Sequence, residues 1–198
     1  MGAAPRPRAG LARGPRLLHC GRGNVPAHME KLLPSLIQIS FRQIAGAIAL
    51  ACAGLLAYGY YLQYFEAQDP CPLCLVQRGF FYAIGLVMLA AALHGPKCAW
   101  GRRGYALGAL GFALGGLATA ARQVWLQHLP ADQVPACGPD LSFMMENFPL
   151  ARTFELLLRG SGQCAEVGWT FLGLSIAEWS AAWFALFAAL ALWQALRR

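Results

Sequence analysis

The chain has 198 residues, of which 58% are hydrophobic and only 13% charged, with a formal net charge of +7. Soluble globular domains carry about 25% charged residues, so this composition excludes an ordinary soluble fold and points to a helical membrane protein. The basic excess does not mark a nucleic-acid binder, because Lys and Arg punctuate apolar runs and are not gathered on one polar domain.

Residues 1–40 carry Arg6, Arg8, Arg13, Arg16 and Arg22 among Ala, Gly and Pro, with no helical or strand period. They read as a basic, disordered tail. A signal peptide is not expected, because the apolar run that follows is long enough to span and no small-residue cleavage site precedes a polar region. Met29 is as good a start as Met1.

Four spans follow, at about 44–64, 74–93, 105–128 and 179–196. The first holds 21 residues without a charge, which at ~1.5 Å per residue matches a hydrocarbon thickness of ~30 Å. Asp69-Pro70-Cys71-Pro72-Leu73-Cys74 breaks the chain before the second, and Pro72 suits the first position of a new helix. Cys74 then falls in the first turn, where unpaired N–H groups favour a thiolate, and Arg78 follows one turn later. The third span carries Gly104/Gly108 and Gly111/Gly115, a small-xxx-small spacing that lets neighbours approach closely in lipid. Trp179, Trp183 and Trp193 supply interface belts and body to the fourth.

Charge counting orients these spans. The tail and its junction, the connection with Lys97, Arg102 and Arg103, and the terminal Arg197 and Arg198 hold 12 of the 16 basic residues, which makes that side cytoplasmic. Eight of the nine acidic residues lie in the other two connections, about 65–73 and 129–178, which therefore face outward. The second outer loop is too long for a simple connector. Within it, Leu150, Phe154, Leu157 and Leu158 oppose Arg152, Glu155 and Arg159, which describes a short amphipathic helix on the outer membrane surface with a Glu155/Arg159 pair. The alternative is a helix packed on the loop's own core.

Topology sorts the seven cysteines. Cys71, Cys74, Cys137 and Cys164 face the outer compartment, where disulfides persist. Cys20, Cys52 and Cys98 read as small hydrophobes or as playing no redox part. The outer four could form two disulfides or one metal site with four thiolate ligands. Cys137 and Cys164 do not repeat the Cys-x-x-Cys half that structural zinc sites show twice, which weighs against metal. A purely structural Cys137–Cys164 pair also stays open.

Four segments together resemble the DsbB family of bacterial inner-membrane thiol oxidases: Pro-Cys-Pro-Leu-Cys with Arg78, the Arg-Gln-Val-Trp-Leu-Gln-His-Leu-Pro end of span three, Cys137 in the long loop, and Gly162-Gln163-Cys164-Ala165-Glu166 leading to Trp169 and Phe171-Leu172-Gly173-Leu174. The resemblance covers the chain after about residue 40. It implies an all-α four-helix membrane bundle with both termini cytoplasmic, and four catalytic cysteines in two pairs acting in series. Cys137 would form the mixed disulfide with a periplasmic DsbA-type oxidase, and Cys164 would pass electrons on to Cys71. Cys74 would face a membrane quinone, ubiquinone or menaquinone, with Arg78 stabilising charge there.

An interfacial Arg that only snorkels to headgroups is the competing reading of Arg78. His128, Arg122 and Gln123 lie near the outer end of span three. Arg122 is expected to anchor its helix, Gln123 could donate to a quinone carbonyl, and His128 is left without a role. A vitamin K epoxide reductase-like protein also couples thiols to a quinone, but its Cys-x-x-Cys comes late in the bundle, whereas here it follows span one. The rival of another class is a metal-binding membrane module or transporter.

Overall fold

A computed structural model describes residues 40–130, 132–136 and 141–197. The expected tail and Cys137 lie outside the described residues, apart from Ser40. Four long helices make the body: α1 (Phe41–Phe65), α2 (Pro72–His94), α3 (Ala99–Gln127) and α6 (Ile176–Leu196). Each is long and apolar enough to cross a membrane, so the architecture is the expected all-α four-helix membrane bundle.

Local chemistry sets where these helices begin. Ser40 and Gln43 form a capping box at the start of α1, and Ser175 and Glu178 form another at the start of α6. The second explains why α6 begins ahead of the expected 179: Glu178 is an N-terminal carboxylate satisfying a free amide, not a loop residue. Similarly, α3 begins at Ala99, so Arg102 and Arg103 lie in its opening turns and not in a connection. The helix simply continues past its apolar body into the interfacial zone.

Between α3 and α6 run α4 (Leu141–Asn147), α5 (Leu150–Arg159), a single 3₁₀ turn at Gly162–Cys164, and a small antiparallel hairpin of β1 (Thr170–Phe171) and β2 (Leu174–Ser175). Leu172 and Gly173 both have positive φ, the primed turn whose twist suits a two-residue hairpin loop. On α5, Glu155 accepts from Arg152 at 2.6 Å and from Arg159 at 3.2 Å, the second being the expected pair. Thr153 and Leu157 are buried while Leu150 and Leu158 are exposed. The helix therefore docks through one face, contacting α4 and α2, and leaves two leucines outward.

In the bundle α2 packs against α1 and α3, and α3 against α6. The core joins Ile48, Cys52 and Leu56 of α1, Phe81, Ile84 and Met88 of α2, Ala109, Ala113 and Ala120 of α3, and Phe184 and Phe187 of α6. Cys52 fills this core as the small hydrophobe expected. Cys98, at the head of α3, departs from its expectation and is disulfide-bonded.

The close approach on α3 falls at one of the expected glycines, Gly115, where a Cβ would meet the Phe80 ring at 2.7 Å, and at its neighbour Gly116. Nothing lies within 4 Å of a Cβ placed at Gly104 or Gly111, whereas one at Gly116 would overlap the Phe184 ring. That ring is fully buried and stacked on Phe81 at 4.1 Å between centroids, so it has nowhere to move. Gly116→Ala should therefore lower the thermal unfolding midpoint in detergent micelles, at an overpacking cost of about 1–3 kcal/mol. Gly111→Ala, with open space and better helix propensity, should leave it unchanged or raised.

Candidate redox centre

The centre is built on the first turn of α2. Cys71 is the N-cap residue, and its sulfur takes the place usually held by a Ser or Asp oxygen: the Cys74 N–H donates to Cys71 Sγ at 3.3 Å. Pro72 occupies the first helical position, where its missing N–H costs nothing. The Cys-Pro-x-Cys spacing thus brings Cys71 Sγ and Cys74 Sγ to 2.7 Å. Of the four candidate cysteines the three that are described, Cys71, Cys74 and Cys164, are free.

Cys164 arrives from the loop. α5 ends at Gly160, whose φ of +77° carries the chain into the 3₁₀ turn, and a Cβ there would meet Leu126 at 2.7 Å and Leu73 at 3.2 Å. The turn seats Cys164 in a small cluster with Cys71, Leu73 and Leu126, where the Cys164 side chain has no solvent exposure. Cys71 touches both other sulfurs.

This contact polarises the pair. The Cys71 thiol donates to the Cys164 sulfur, and backbone N–H groups of Ser161 and Leu73 add to it. Against the opposing effect of burial, they lower the Cys164 pKa to about 6. Cys71 is pushed the other way, first because its hydrogen is held by Cys164 and Cys74, then because it is buried. Both residues lie ahead of or outside the helical spans. At neutral pH the reduced centre therefore carries a loop thiolate beside a neutral thiol. The Cys71–Cys74 spacing also bears on metal: two thiolates on a tetrahedral zinc at ~2.3 Å stand roughly 3.8 Å apart, well beyond what is seen.

A cavity of about 510 Å³ opens beside the sulfurs. Leu55, Leu56, Phe81 and Trp183 give it apolar walls, and Cys74, Gln77, Arg78 and Gln123 a polar end. Tyr58, Trp169, Phe171 and Trp179 line it from the hairpin side, with Trp169 edge-on to Tyr58 and stacked with Phe171. Arg78 faces inward, donating to Gln63 Oε1 at 2.6 Å and to the Gly59 carbonyl at 2.9 Å, with its guanidinium over Tyr60. These contacts tie it to the last turns of α1.

Of the remaining sequence candidates, Arg122 donates to the Arg159 carbonyl at 3.3 Å and lies over Trp125, tying the last turn of α5 to α3. His128 caps α3, with Nδ1 on the Val124 carbonyl, and neither residue lines the cavity. Cys137 is outside the described residues; its preceding neighbour Ala136 accepts from the Gly162 N–H at 3.4 Å. Sequence reasoning passed over Gln77 and the aromatic wall. The available signal was a pair of uncharged amides inside apolar spans, Gln77 and Gln123, since polar groups at membrane depth mark function.

The Cys164 reading has a direct check. Thiolate absorbance at 240 nm in the fully reduced protein should show a step near pH 6, with the thiolate present above it and lost as pH falls through it. Cys164→Ser should remove that step. Cys71→Ala, which deletes the donor, should move it up toward the ordinary thiol range of about 8.5.

Comparison with known proteins gives the family. The family model described as disulfide bond formation protein DsbB matches residues 41–194. The "Disulfide bond formation protein B" of Nitrosococcus oceani is 54% identical over 145 residues, covering 72% of this chain and 84% of that one. Its namesake in Marinobacter nauticus is 50% identical over 157 residues, 79% of this chain and 93% of the relative. That of Acinetobacter baylyi is 43% identical over 162 residues, 82% and 95% respectively. Four membrane-length helices, a Cys-Pro-x-Cys pair at a helix start and a match over nearly all of the bundle have one reading: this chain belongs to the DsbB family of disulfide bond formation proteins.

Proposed function

We propose that the chain is a quinone-dependent thiol oxidase of the bacterial inner membrane, which regenerates a periplasmic DsbA-type disulfide donor. The observation that carries this is the position of the Cys71 sulfur, in contact with the Cys74 sulfur on one side and the Cys164 sulfur on the other. Disulfide exchange requires a thiolate beside the sulfur it attacks and a leaving sulfur on the far side. When Cys71 and Cys74 are oxidised, Cys164 attacks Cys71, the Cys71–Cys74 bond breaks, and Cys74 leaves with the electron pair. Upstream of this step, the partner's thiolate attacks Cys137 of a Cys137–Cys164 disulfide, that bond breaks and frees the Cys164 thiolate, and the partner's second thiolate then displaces Cys137, so that the partner departs as its disulfide after losing two electrons and two protons.

The residues around the cavity fit a quinone head group. Its apolar walls suit a flat ring, the aromatic side chains offer stacking faces, and Arg78 keeps unspent N–H donors for a carbonyl. When bound, the quinone, ubiquinone or menaquinone, supplies a two-electron, two-proton acceptor. Cys74 and Arg78 line the end of the cavity that would hold it. A DsbA-type partner is itself strongly oxidising, at about −120 mV, so only a strong terminal acceptor can recharge it. On this reading the connection between α1 and α2 and the long loop face the periplasm, and both termini face the cytosol.

The test is quinone reduction by the purified chain with a reduced DsbA-type protein as donor, alongside metal analysis of the same sample. Cys137→Ser should abolish capture of the partner while leaving quinone binding, and Cys74→Ser should do the reverse. A normal oxidation rate in Cys137→Ser would defeat the series arrangement, and bound metal protecting the outer cysteines would defeat the oxidase reading. Arg78→Met should raise the KM for quinone about 10- to 100-fold, as for loss of a charge-assisted hydrogen bond worth ~1.5–3 kcal/mol, with little change in partner capture.

A further inference from the structure

Two buried glutamines meet the sulfur pair from the membrane side. Gln77 on α2 is 3% exposed and Gln123 on α3 is 4% exposed. A side-chain amide in so apolar a place is costly unless its donors and acceptor are matched. The Gln123 amide nitrogen lies 3.4 Å from Cys71 Sγ and 3.3 Å from Cys74 Sγ, one hydrogen for each. Its carbonyl oxygen accepts from Gln77 Nε2 at 2.7 Å. The orientation of a glutamine amide is decided by its partners. Here the Gln77 contact, the shortest of the set, turns the carbonyl away from the sulfurs and the N–H groups toward them.

We propose that Gln123 is a further catalytic residue that sets the redox poise of the Cys71–Cys74 pair, and that Gln77 is the positioning residue that fixes which end of the Gln123 amide the sulfurs meet. The physical basis is a difference between oxidation states. A reduced pair offers sulfur lone pairs, and a full negative charge once one of its thiols ionises, that two N–H donors stabilise, whereas the sulfurs of a closed disulfide accept hydrogen bonds only weakly. Donors that stabilise the reduced form make a disulfide more oxidising. The one opposing contact, a Cys74 thiol donating to Gln123 Oε1, is longer at 3.7 Å. A low-dielectric surrounding strengthens the donors' effect. The inference rests on the reading of Cys71 and Cys74 as a redox pair.

The experiment uses the full chain in detergent micelles, with Cys137→Ser and Cys164→Ser in the background so that the residue 71 and 74 pair exchanges alone. The pair is equilibrated with glutathione buffers, and the reduced fraction is read by alkylation and peptide mass spectrometry. Gln123→Leu should lower the equilibrium constant for reduction of the pair about tenfold, a shift of about 30 mV for a two-electron couple. Gln123→Glu, of the same size but presenting carboxylate oxygen to the sulfurs, should lower it at least as far. Gln77→Leu should lower it by a smaller factor when Gln123 is intact and not at all in the Gln123→Leu background, since it acts only through that amide.

Gln123→Met supplies a near-isosteric variant without donors should the leucine variant fail to fold, and thermal midpoints are read alongside. Equilibrium constants within twofold of the parent for Gln123→Glu and Gln123→Met would overturn the proposal. An undiminished Gln77→Leu effect in the Gln123→Leu background would overturn the positioning role. No quinone and no partner protein enters this measurement. Failure of the parent chain to reduce quinone would therefore sink the oxidase reading while leaving this result standing.

Discussion

The centre depends on a helix start being made from sulfur. An ordinary N-cap satisfies a free amide with a hydroxyl or carboxylate oxygen; at α2 the Cys71 sulfur performs that task for the Cys74 N–H, and the next free amide, that of Leu73, serves the Cys164 sulfur. The amides that a helix end leaves unpaired are thus spent on the reactive atoms, and the positive end of the α2 dipole faces the same place. Pro72, between the two cysteines, removes the one amide that would have gone unused. Local folding of α2 and arrangement of the sulfurs are accordingly one event.

The loop meets that helix start through shape. Gly160 ends α5 in a conformation that side chains rarely adopt, and it stands where a Cβ would press on Leu73 and Leu126, both fully buried. Leu73 is the residue between the cysteines in the Cys-Pro-x-Cys turn, so the packing that holds α5 down also clamps the turn. Arg122 adds a tether from α3 to the α5 C-terminal carbonyl of Arg159, favourable for a cation at a helix C-terminus. The long loop is in this way fixed to two helices, α2 and α3, at the level of the sulfurs, although its own helices are short.

The fold was legible in the sequence because lipid imposes a simple code, long uncharged runs for the spans. The Cys-Pro-x-Cys start of α2 was legible for a local reason, since Pro72 and the cysteine spacing belong to a single turn. What escaped was set by contacts distant in sequence. Gln123 lies 49 residues from Cys74, and no periodicity in α3 says that its amide would reach the sulfurs. The same holds for Gly116: a glycine-rich run announces close packing, but which glycine touches an aromatic ring depends on the rotation of α3 against α6. Charge misled at the helix ends, where Glu178, Arg102 and Arg103 read as loop residues and are helical. A terminal turn outside the hydrocarbon tolerates charge that a span interior would not.

These placements also give a direction to the flow of charge. In the reduced centre the negative charge rests on Cys164, a loop residue with its own amide donors. On the proposed function, attack by the Cys164 thiolate on an oxidised Cys71–Cys74 pair would move that charge to Cys74 as the leaving sulfur. Leaving charge there is unfavourable unless something receives it. The receiving groups are in place on the cavity side: the Gln123 amide at 3.3 Å from Cys74, and the Arg78 guanidinium on the same cavity wall, held by Gln63 and Gly59. A fixed cation and a fixed amide on the cavity side make transfer of that charge to Cys74 the step the surroundings already accommodate. The polarity of the centre follows from where its donors stand, and the donors stand where two helix starts, one glycine and one amide pair put them.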